Sequence, residues 1–195
     1  MTEPDRRQWI DALVSGDDDR AEAAAQALGR LGDDALPALS ELLSRSDADG
    51  RWWAARTLGE IESDAALALL IDCTADPDPD VRACAIFALG TFGERARAAV
   101  PALIQRLGDA SVYAGQMAAD ALARIGSTAT EPLIDALKNG PPPVRGRAAR
   151  ALAQLADRAS IPALIISLDD ESPIVEYYAD IALQKMGVGT VLLKM

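Results

Sequence analysis

The 195-residue sequence contains no histidine. Histidine is the commonest general base, the usual partner of a nucleophilic serine or cysteine, and a frequent metal ligand. The chain also lacks a phosphate-binding loop, a Gly-x-Gly-x-x-Gly stretch and a nucleophile elbow. We therefore expect a protein that is not an enzyme, with no catalytic residues, no cofactor and no metal site.

Cysteine is also scarce, since Cys73 and Cys84 are the only two. Two cysteines without histidine make neither a disulfide framework nor a zinc site. Cys73 stands where other repeats have leucine, which favours a buried thiol that packs as a small apolar side chain. The chain shows neither the apolar core of a signal peptide nor a run of roughly 18 apolar residues that could span a membrane. We expect a cytoplasmic protein with no membrane partner.

Positive charge is outnumbered, with 19 basic against 30 acidic residues and a net charge of −11. Nucleic acid is an unsuitable partner, because neutralising phosphates requires a basic stripe. The acidity favours another protein with a basic surface. Aromatic residues make up only 4 % of the chain, and the abundance of alanine and leucine suits packed helices better than β-strands.

The sequence does contain an internal repeat, which governs every other interpretation. A leucine recurs every 30 to 33 residues, at Leu28, Leu58, Leu89, Leu122, Leu152 and Leu183. An alanine stands four residues before each leucine, at Ala24, Ala54, Ala85, Ala118, Ala148 and Ala179. Positions four apart lie on one helix face, and alanine lets two helices approach closely. The two columns predict the buried stripe of the first helix in each repeat.

A second helix follows the first in each repeat. Glycine ends the first helix in four repeats, at Gly32, Gly93, Gly126 and Gly187. Glycine adopts the left-handed backbone conformation found at helix ends with little steric cost. Proline occupies the first turn of the next helix, where its missing amide hydrogen does no harm, at Pro37, Pro101, Pro132 and Pro162. Turn-forming and helix-capping residues fill the junctions between repeats. Each repeat is therefore predicted to be a helical hairpin.

The repeat predicts an all-α fold, an α-α superhelix of about six hairpins forming a single domain over residues 1–195. The predicted units are a cap helix at 4–14 and repeats at about 17–45, 47–75, 78–108, 110–139, 142–169 and 172–195. The last repeat lacks most of its second helix, so its apolar stripe needs another cover. We expect either the tail 189–195 or a second molecule there, and the second option predicts self-association.

The third repeat carries a recognisable pattern. Residues 78–90 read Asp-Pro-Asp-Val-Arg-Ala-Cys-Ala-Ile-Phe-Ala-Leu-Gly, and residues 100–104 read Val-Pro-Ala-Leu-Ile. This resembles the HEAT-like repeat of the phycobilisome-lyase type, and the pattern covers nearly the whole chain. The resemblance implies a curved solenoid with the second helices on its concave side. It also implies contacts along the stack between junction aspartates and the early arginines Arg51, Arg82 and Arg145.

Two functions are consistent with this sequence. The first is a non-catalytic scaffold for protein–protein interaction, since every structural element of a solenoid is present and no catalytic one is. The alternative rests on the resemblance alone, which implies a bilin (tetrapyrrole) lyase or chaperone-lyase subunit acting on a phycobiliprotein-like partner. A DNA-binding array would need a basic groove, which the charge disfavours.

Candidate contact residues are those that face away from the buried stripes. On the second helices they are Glu41, Ile71, Asp72, Gln105, Arg106, Asp135 and Ile166. On the first helices they are Trp52, Arg56, Phe87, Tyr177 and Ile181, a set rich in the aromatic and arginine side chains that dominate interface energies. Packing between repeats is the alternative role for both sets.

Overall fold

The computed structural model describes residues 3–44 and 47–189, and these ranges contain helices but no strands. The described residues form twelve α-helices: α1 Glu3–Leu13, α2 Asp18–Gly29, α3 Leu36–Leu43, α4 Ala48–Leu58, α5 Asp64–Cys73, α6 Pro79–Thr91, α7 Val100–Arg106, α8 Val112–Ile125, α9 Thr130–Asn139, α10 Pro142–Leu155, α11 Ile161–Ile166 and α12 Pro173–Lys185. No helix in the described ranges is long and apolar enough to cross a membrane. The all-α prediction is confirmed.

The helices alternate as the repeat predicts. The even-numbered helices α2 to α12 are the first helices of the repeats, the odd-numbered helices α3 to α11 are the second helices, and α1 precedes them where a cap helix is predicted. Short 3-10 segments extend several hairpin turns, for example Gly32–Ala35 and Gly93–Ala99. Residues 190–195 lie outside the described ranges, so the proposed covering of the last hairpin stays a prediction.

The described residues form two compact units, one ending at Phe92 and one beginning at Gly93. We call them the first unit, which holds α1 to α6, and the second unit, which holds α7 to α12. The boundary falls inside the predicted third repeat, between its two helices. A single domain over 1–195 stays a prediction.

The alanine and leucine columns form the core. All six alanines and all six leucines are fully buried, with 0 % of each side chain exposed. The first helices pack on one another within each unit, α2 on α4 on α6 and α8 on α10 on α12. Burying each leucine contributes roughly 1.5–3 kcal/mol, so the columns dominate the stability of the hairpins.

The hairpin turns show why glycine recurs at one position. Gly32, Gly93, Gly126 and Gly187 all have positive φ, at 59°, 56°, 99° and 77°. Ala156 occupies the equivalent position after α10 and is forced into the left-handed region, with φ 52° and ψ 35°. Alanine is strained there because its Cβ crowds the following carbonyl oxygen.

We expect Ala156→Gly to stabilise the protein by about 0.5–1 kcal/mol, because glycine adopts this conformation without the steric cost. The midpoint of urea unfolding would measure the gain. Gly126→Ala is the matched control and should destabilise by about 1–2 kcal/mol, since nothing lies within 4 Å of its Cβ position and only the backbone is affected. Equal, unchanged midpoints in both variants would contradict this account of the turns.

The close approach of first helices makes a second prediction. Ala24 is fully buried and Ala23, its neighbour on α2, is exposed. Ala24→Leu should cost roughly 1–3 kcal/mol by overpacking, whereas Ala23→Leu should change stability by less than about 0.5 kcal/mol. Thermal unfolding of the two variants would separate a packing constraint from a general effect of leucine on the helix.

Candidate protein-binding surfaces

Buried ion pairs join successive repeats. Arg51 on α4 donates from Nε to Asp76 Oδ2 at 2.7 Å and from Nη2 to Asp76 Oδ1 at 2.8 Å, and only 10 % and 8 % of the two side chains are exposed. Asp76 also accepts the backbone amide of Asp78 at 2.8 Å, just before α6. The contact implied by the family resemblance is confirmed at Arg51, and it ties one hairpin to the next junction.

The second unit repeats this arrangement. Arg145 on α10 donates to both carboxylate oxygens of Asp170 at 2.9 Å, and Asp170 accepts the backbone amide of Ser172 at 2.8 Å, just before α12. Arg82 binds differently, since its guanidinium donates to the backbone carbonyls of Asp76 at 2.8 Å and Pro77 at 3.1 Å. The early arginines are therefore engaged inside the protein.

These hydrogen bonds shift the acidity of the paired carboxylates. Burial alone would raise the pKa of Asp76, but the hydrogen bonds from Arg51 and from the Asp78 amide outweigh it and hold the pKa below its ordinary value. The hydrogen bond from Arg145 likewise lowers the pKa of Asp170. Both carboxylates are charged and occupied at neutral pH, so neither is available to a partner.

The fourth repeat replaces the arginine by Gly115, and the next repeat fills the space. The guanidinium of Arg147 on α10 lies where a side chain at position 115 would be. Its Nη1 donates to the backbone carbonyl of Leu107 at 2.5 Å. An arginine from the fifth repeat thus anchors the junction that precedes α8.

The first-helix candidates divide between packing and exposure. Arg56 is held by Glu22 of α2 at 2.7 Å and by Glu60, and its side chain is 30 % exposed, so it links neighbouring hairpins. Trp52 is half-buried and sits edge-to-face with Trp53, the ring centroids 4.9 Å apart.

The remaining first-helix candidates are more accessible. Phe87 on α6 is 53 % exposed and Tyr177 on α12 is 57 % exposed. Ile181 is half-buried one turn beyond Tyr177. The ring of Tyr177 stands edge-to-face with that of Tyr178, with centroids 5.3 Å apart.

Most second-helix candidates do face solvent. The exposed members are Glu41, Asp72, Gln105, Asp135 and Ile166. Ile166 is 72 % exposed. Ile71 is half-buried, and Arg106 is half-buried beside Asp109, at 3.5 Å. The structure places Glu41 and Asp72 on α3 and α5 of the first unit, and the other exposed members on α7, α9 and α11 of the second.

Charge divides sharply between the units. Residues 1–92 contain 19 acidic and 8 basic residues, and residues 93–195 contain 11 of each. The entire net charge of −11 therefore belongs to the first unit, and the second unit is neutral. The two units therefore differ in the electrostatic force that they exert on a charged molecule.

Three exposed apolar residues were missed by the sequence analysis. Val112, Tyr113 and Ile174 are 63 %, 60 % and 49 % exposed, in the first turns of α8 and α12. The candidates were helix faces opposite the buried stripe, whereas residues in the first turns were interpreted as capping residues. Comparing the position five residues before each buried alanine would have found Tyr113 and Ile174, because that position is aspartate in the first three repeats.

Neither thiol is suited to nucleophilic chemistry. Burial raises the pKa of Cys73 to about 12, and burial likewise raises the pKa of Cys84 to about 12. Cys73 is 6 % exposed, which confirms its predicted burial in a leucine column. In the part of the chain that the structure describes, no cluster of three or more cysteine and carboxylate side chains could hold a metal ion.

The Arg51–Asp76 pair predicts how stability depends on pH. The pKa of Asp76 is lowered in the folded protein. The charged carboxylate therefore stabilises the fold above the pKa of an unfolded aspartate, about 3.9, and this stabilisation is lost as pH falls through the lower folded pKa. Asp76→Asn should therefore be less stable at pH 7 and show a shallower loss on acidification. Urea midpoints measured from about pH 7 down to pH 2 test this. Asp72→Asn, which removes a nearby exposed carboxylate, controls for net charge.

The HEAT-repeat family model matches residues 7–82, 70–139 and 130–192. An archaeal HEAT-like repeats protein from Thermococcus onnurineus is similar in structure, with a TM-score of 0.64, 16 % identity, and 93 % of this chain and 80 % of that chain covered. A designed armadillo repeat protein in complex with the peptide (KR)4 is also similar, with a TM-score of 0.53, 20 % identity, and coverage of 92 % and 98 %.

A third similar structure is the complex of CpcE and CpcF of phycocyanin lyase from Nostoc sp. PCC7120, with a TM-score of 0.45, 22 % identity, and 91 % of this chain and 96 % of that chain covered. The comparison with curated proteins finds no match. The family model, by contrast, spans nearly the whole sequence. This chain is therefore a member of the HEAT-repeat family.

Proposed function

We propose that this chain is a non-catalytic protein-binding module whose first unit recognises a basic segment of a partner protein. One observation carries the proposal, namely that the whole net charge of −11 lies in residues 1–92. A surface of one sign attracts an oppositely charged partner over a distance of about 8–10 Å at ordinary salt and raises the association rate.

Not every carboxylate in the first unit is available for such a role. Asp76 is paired with Arg51, Glu22 and Glu60 hold Arg56, and Asp17 and Asp47 cap α2 and α4. These groups are engaged in the fold itself, so they contribute to the field but not to direct contacts.

Glu41 and Asp72 are the best placed for direct contact. Glu41 lies on α3 and Asp72 on α5, two second helices that pack against each other, and both side chains are exposed. An exposed carboxylate loses little hydration when a flexible lysine or arginine approaches it. Ile71, half-buried beside Asp72, offers an adjacent apolar contact.

The likeness to a designed armadillo repeat protein supports this choice of partner. That protein was solved with (KR)4, a peptide of alternating lysine and arginine. At 20 % identity the likeness concerns the fold alone. It supports a basic peptide as the partner, and the acidic first unit carries the charge that would attract such a peptide.

The alternative implied by the family resemblance, a bilin lyase or chaperone-lyase subunit, stays a prediction. No contact among the described residues favours it over protein binding. The proposed module is accordingly the function that the charge distribution supports best.

The test uses the full chain and a fluorescent (Lys-Arg)4 peptide. We expect binding by anisotropy that weakens steadily as salt rises from about 50 to 300 mM, because exposed charges are screened. Glu41→Lys with Asp72→Lys should weaken binding at least about tenfold, which corresponds to about 1.4 kcal/mol.

The matched control is Glu131→Lys with Asp135→Lys on α9 of the second unit, where both carboxylates are also exposed. It makes the same change in net charge and should weaken binding much less. Salt-independent binding would contradict the proposal, as would an equal loss in the two double variants, since the effect would then be one of overall charge.

A further inference from the structure

The first turns of three consecutive first helices in the second unit expose apolar side chains. We call this set the apolar edge: Val112, Tyr113, Pro143, Ile174 and Tyr177. Val112 and Tyr113 begin α8, Pro143 lies at the start of α10, and Ile174 and Tyr177 lie near the start of α12. Among the described residues, five of the six large apolar side chains that are strongly exposed belong to the second unit, and four of these are on the apolar edge.

Contacts within the second unit bring these turns together. Arg147 of α10 reaches the Leu107 carbonyl beside the start of α8, and Arg145 of α10 binds Asp170 beside the start of α12. A Cβ at Gly146 would lie 2.9 Å from Cγ2 of Ile174, so α12 approaches α10 closely at this point. Packed helices lie about 8–10 Å apart, which makes the three turns neighbours along one edge.

The same position of the repeat has the opposite character in the first unit. Five residues before the buried alanines stand Asp19, Asp49 and Asp80, all exposed, in the first turns of α2, α4 and α6. An acidic residue there is stabilised by the helix dipole, by about 0.3–1 kcal/mol. The equivalents in the second unit are Tyr113, Pro143 and Ile174. At this position of the repeat, the second unit exposes apolar surface instead of a carboxylate.

The size of the apolar edge favours a short segment over a folded partner. Fully exposed aromatic side chains present about 150–250 Å², so the four large side chains of the edge expose on the order of 400 Å² together. A standard protein–protein interface buries about 800 Å² on each partner. The edge is thus small for a stable dimer of this chain.

We propose that the apolar edge docks a short hydrophobic segment of another protein. The inference rests on the proposed function, because it adds an apolar contact in the second unit to the proposed protein-binding module. The apolar side chains of the segment contact Tyr113, Ile174 and Tyr177, and burial of these groups adds affinity that does not depend on salt. Tyrosine is well suited to this role, since it buries a large area at a small entropic cost.

Two synthetic peptides with the same lysine and arginine residues test the proposal, one with leucine and the other with serine at the remaining positions. Binding to the full chain is measured by anisotropy at several salt concentrations. We expect the leucine peptide to bind at least about tenfold more tightly, which corresponds to about 1.4 kcal/mol. Its advantage over the serine peptide should persist at high salt.

The double variant Tyr113→Ser with Ile174→Ser should remove the advantage of leucine and leave the affinity for the serine peptide unchanged. Ile166→Ser is the matched control, because Ile166 is an exposed isoleucine of the same unit that lies on α11, outside the apolar edge. It should keep the full advantage. All replaced side chains are at least 49 % exposed, so folding should be retained, and thermal unfolding checks this.

The experiment distinguishes failure of this inference from failure of the proposed function. Equal affinity for the two peptides, or an advantage of leucine that survives the double variant, would overturn the role of the apolar edge while leaving the proposed function intact. Failure of the serine peptide to bind in a salt-dependent way would instead contradict the proposed function. A dimer detected by light scattering and lost in the double variant would also overturn the inference, by assigning the edge to a second copy of the chain.

Discussion

The close contact between neighbouring first helices is the constraint on which the rest of the structure depends. It requires a methyl group at the crossing point, and the six alanines that meet this requirement are all fully buried. A larger side chain would separate the helices and open the leucine column beneath. Because each crossing is made in the same way within a unit, equivalent residues of successive repeats lie side by side. Exposed residues that share one position of the repeat therefore form a continuous strip on the surface of the unit.

The junctions satisfy a second requirement, since the first amides of every helix need acceptors. Asp47 and Asp78 cap α4 and α6 directly, and Asp76 and Asp170 accept junction amides while binding arginines of the preceding repeat. This double use accounts for much of the aspartate in the sequence without any reference to function. It also limits which carboxylates can meet a partner, and it directs attention to those on the second helices and in the first turns.

The periodic part of the structure could be predicted from the sequence, because burial at Ala24, Leu28 and their equivalents recurs with one spacing. The left-handed conformation of Ala156 could not, since alanine by itself favours a continuing helix and only the tertiary turn forces the change. Arg56 was predicted on an outward column, but no pattern in the sequence indicates its ion pair with Glu22. Tyr113 and Ile174 escaped because they precede the alanine–leucine stripe by five residues, in first turns that were interpreted as capping segments.

The position five residues before the buried alanine thus differs in character between the two units. In the first unit, Asp19, Asp49 and Asp80 stabilise their helices and remain hydrated, which suits an exposed edge whether or not a partner is bound. Tyr113, Pro143 and Ile174 offer neither benefit, and they leave apolar area in contact with water. That arrangement is unfavourable in the free protein and becomes favourable only when the area is covered. The departure from the acidic pattern is therefore accounted for by the bound state that we propose for the apolar edge.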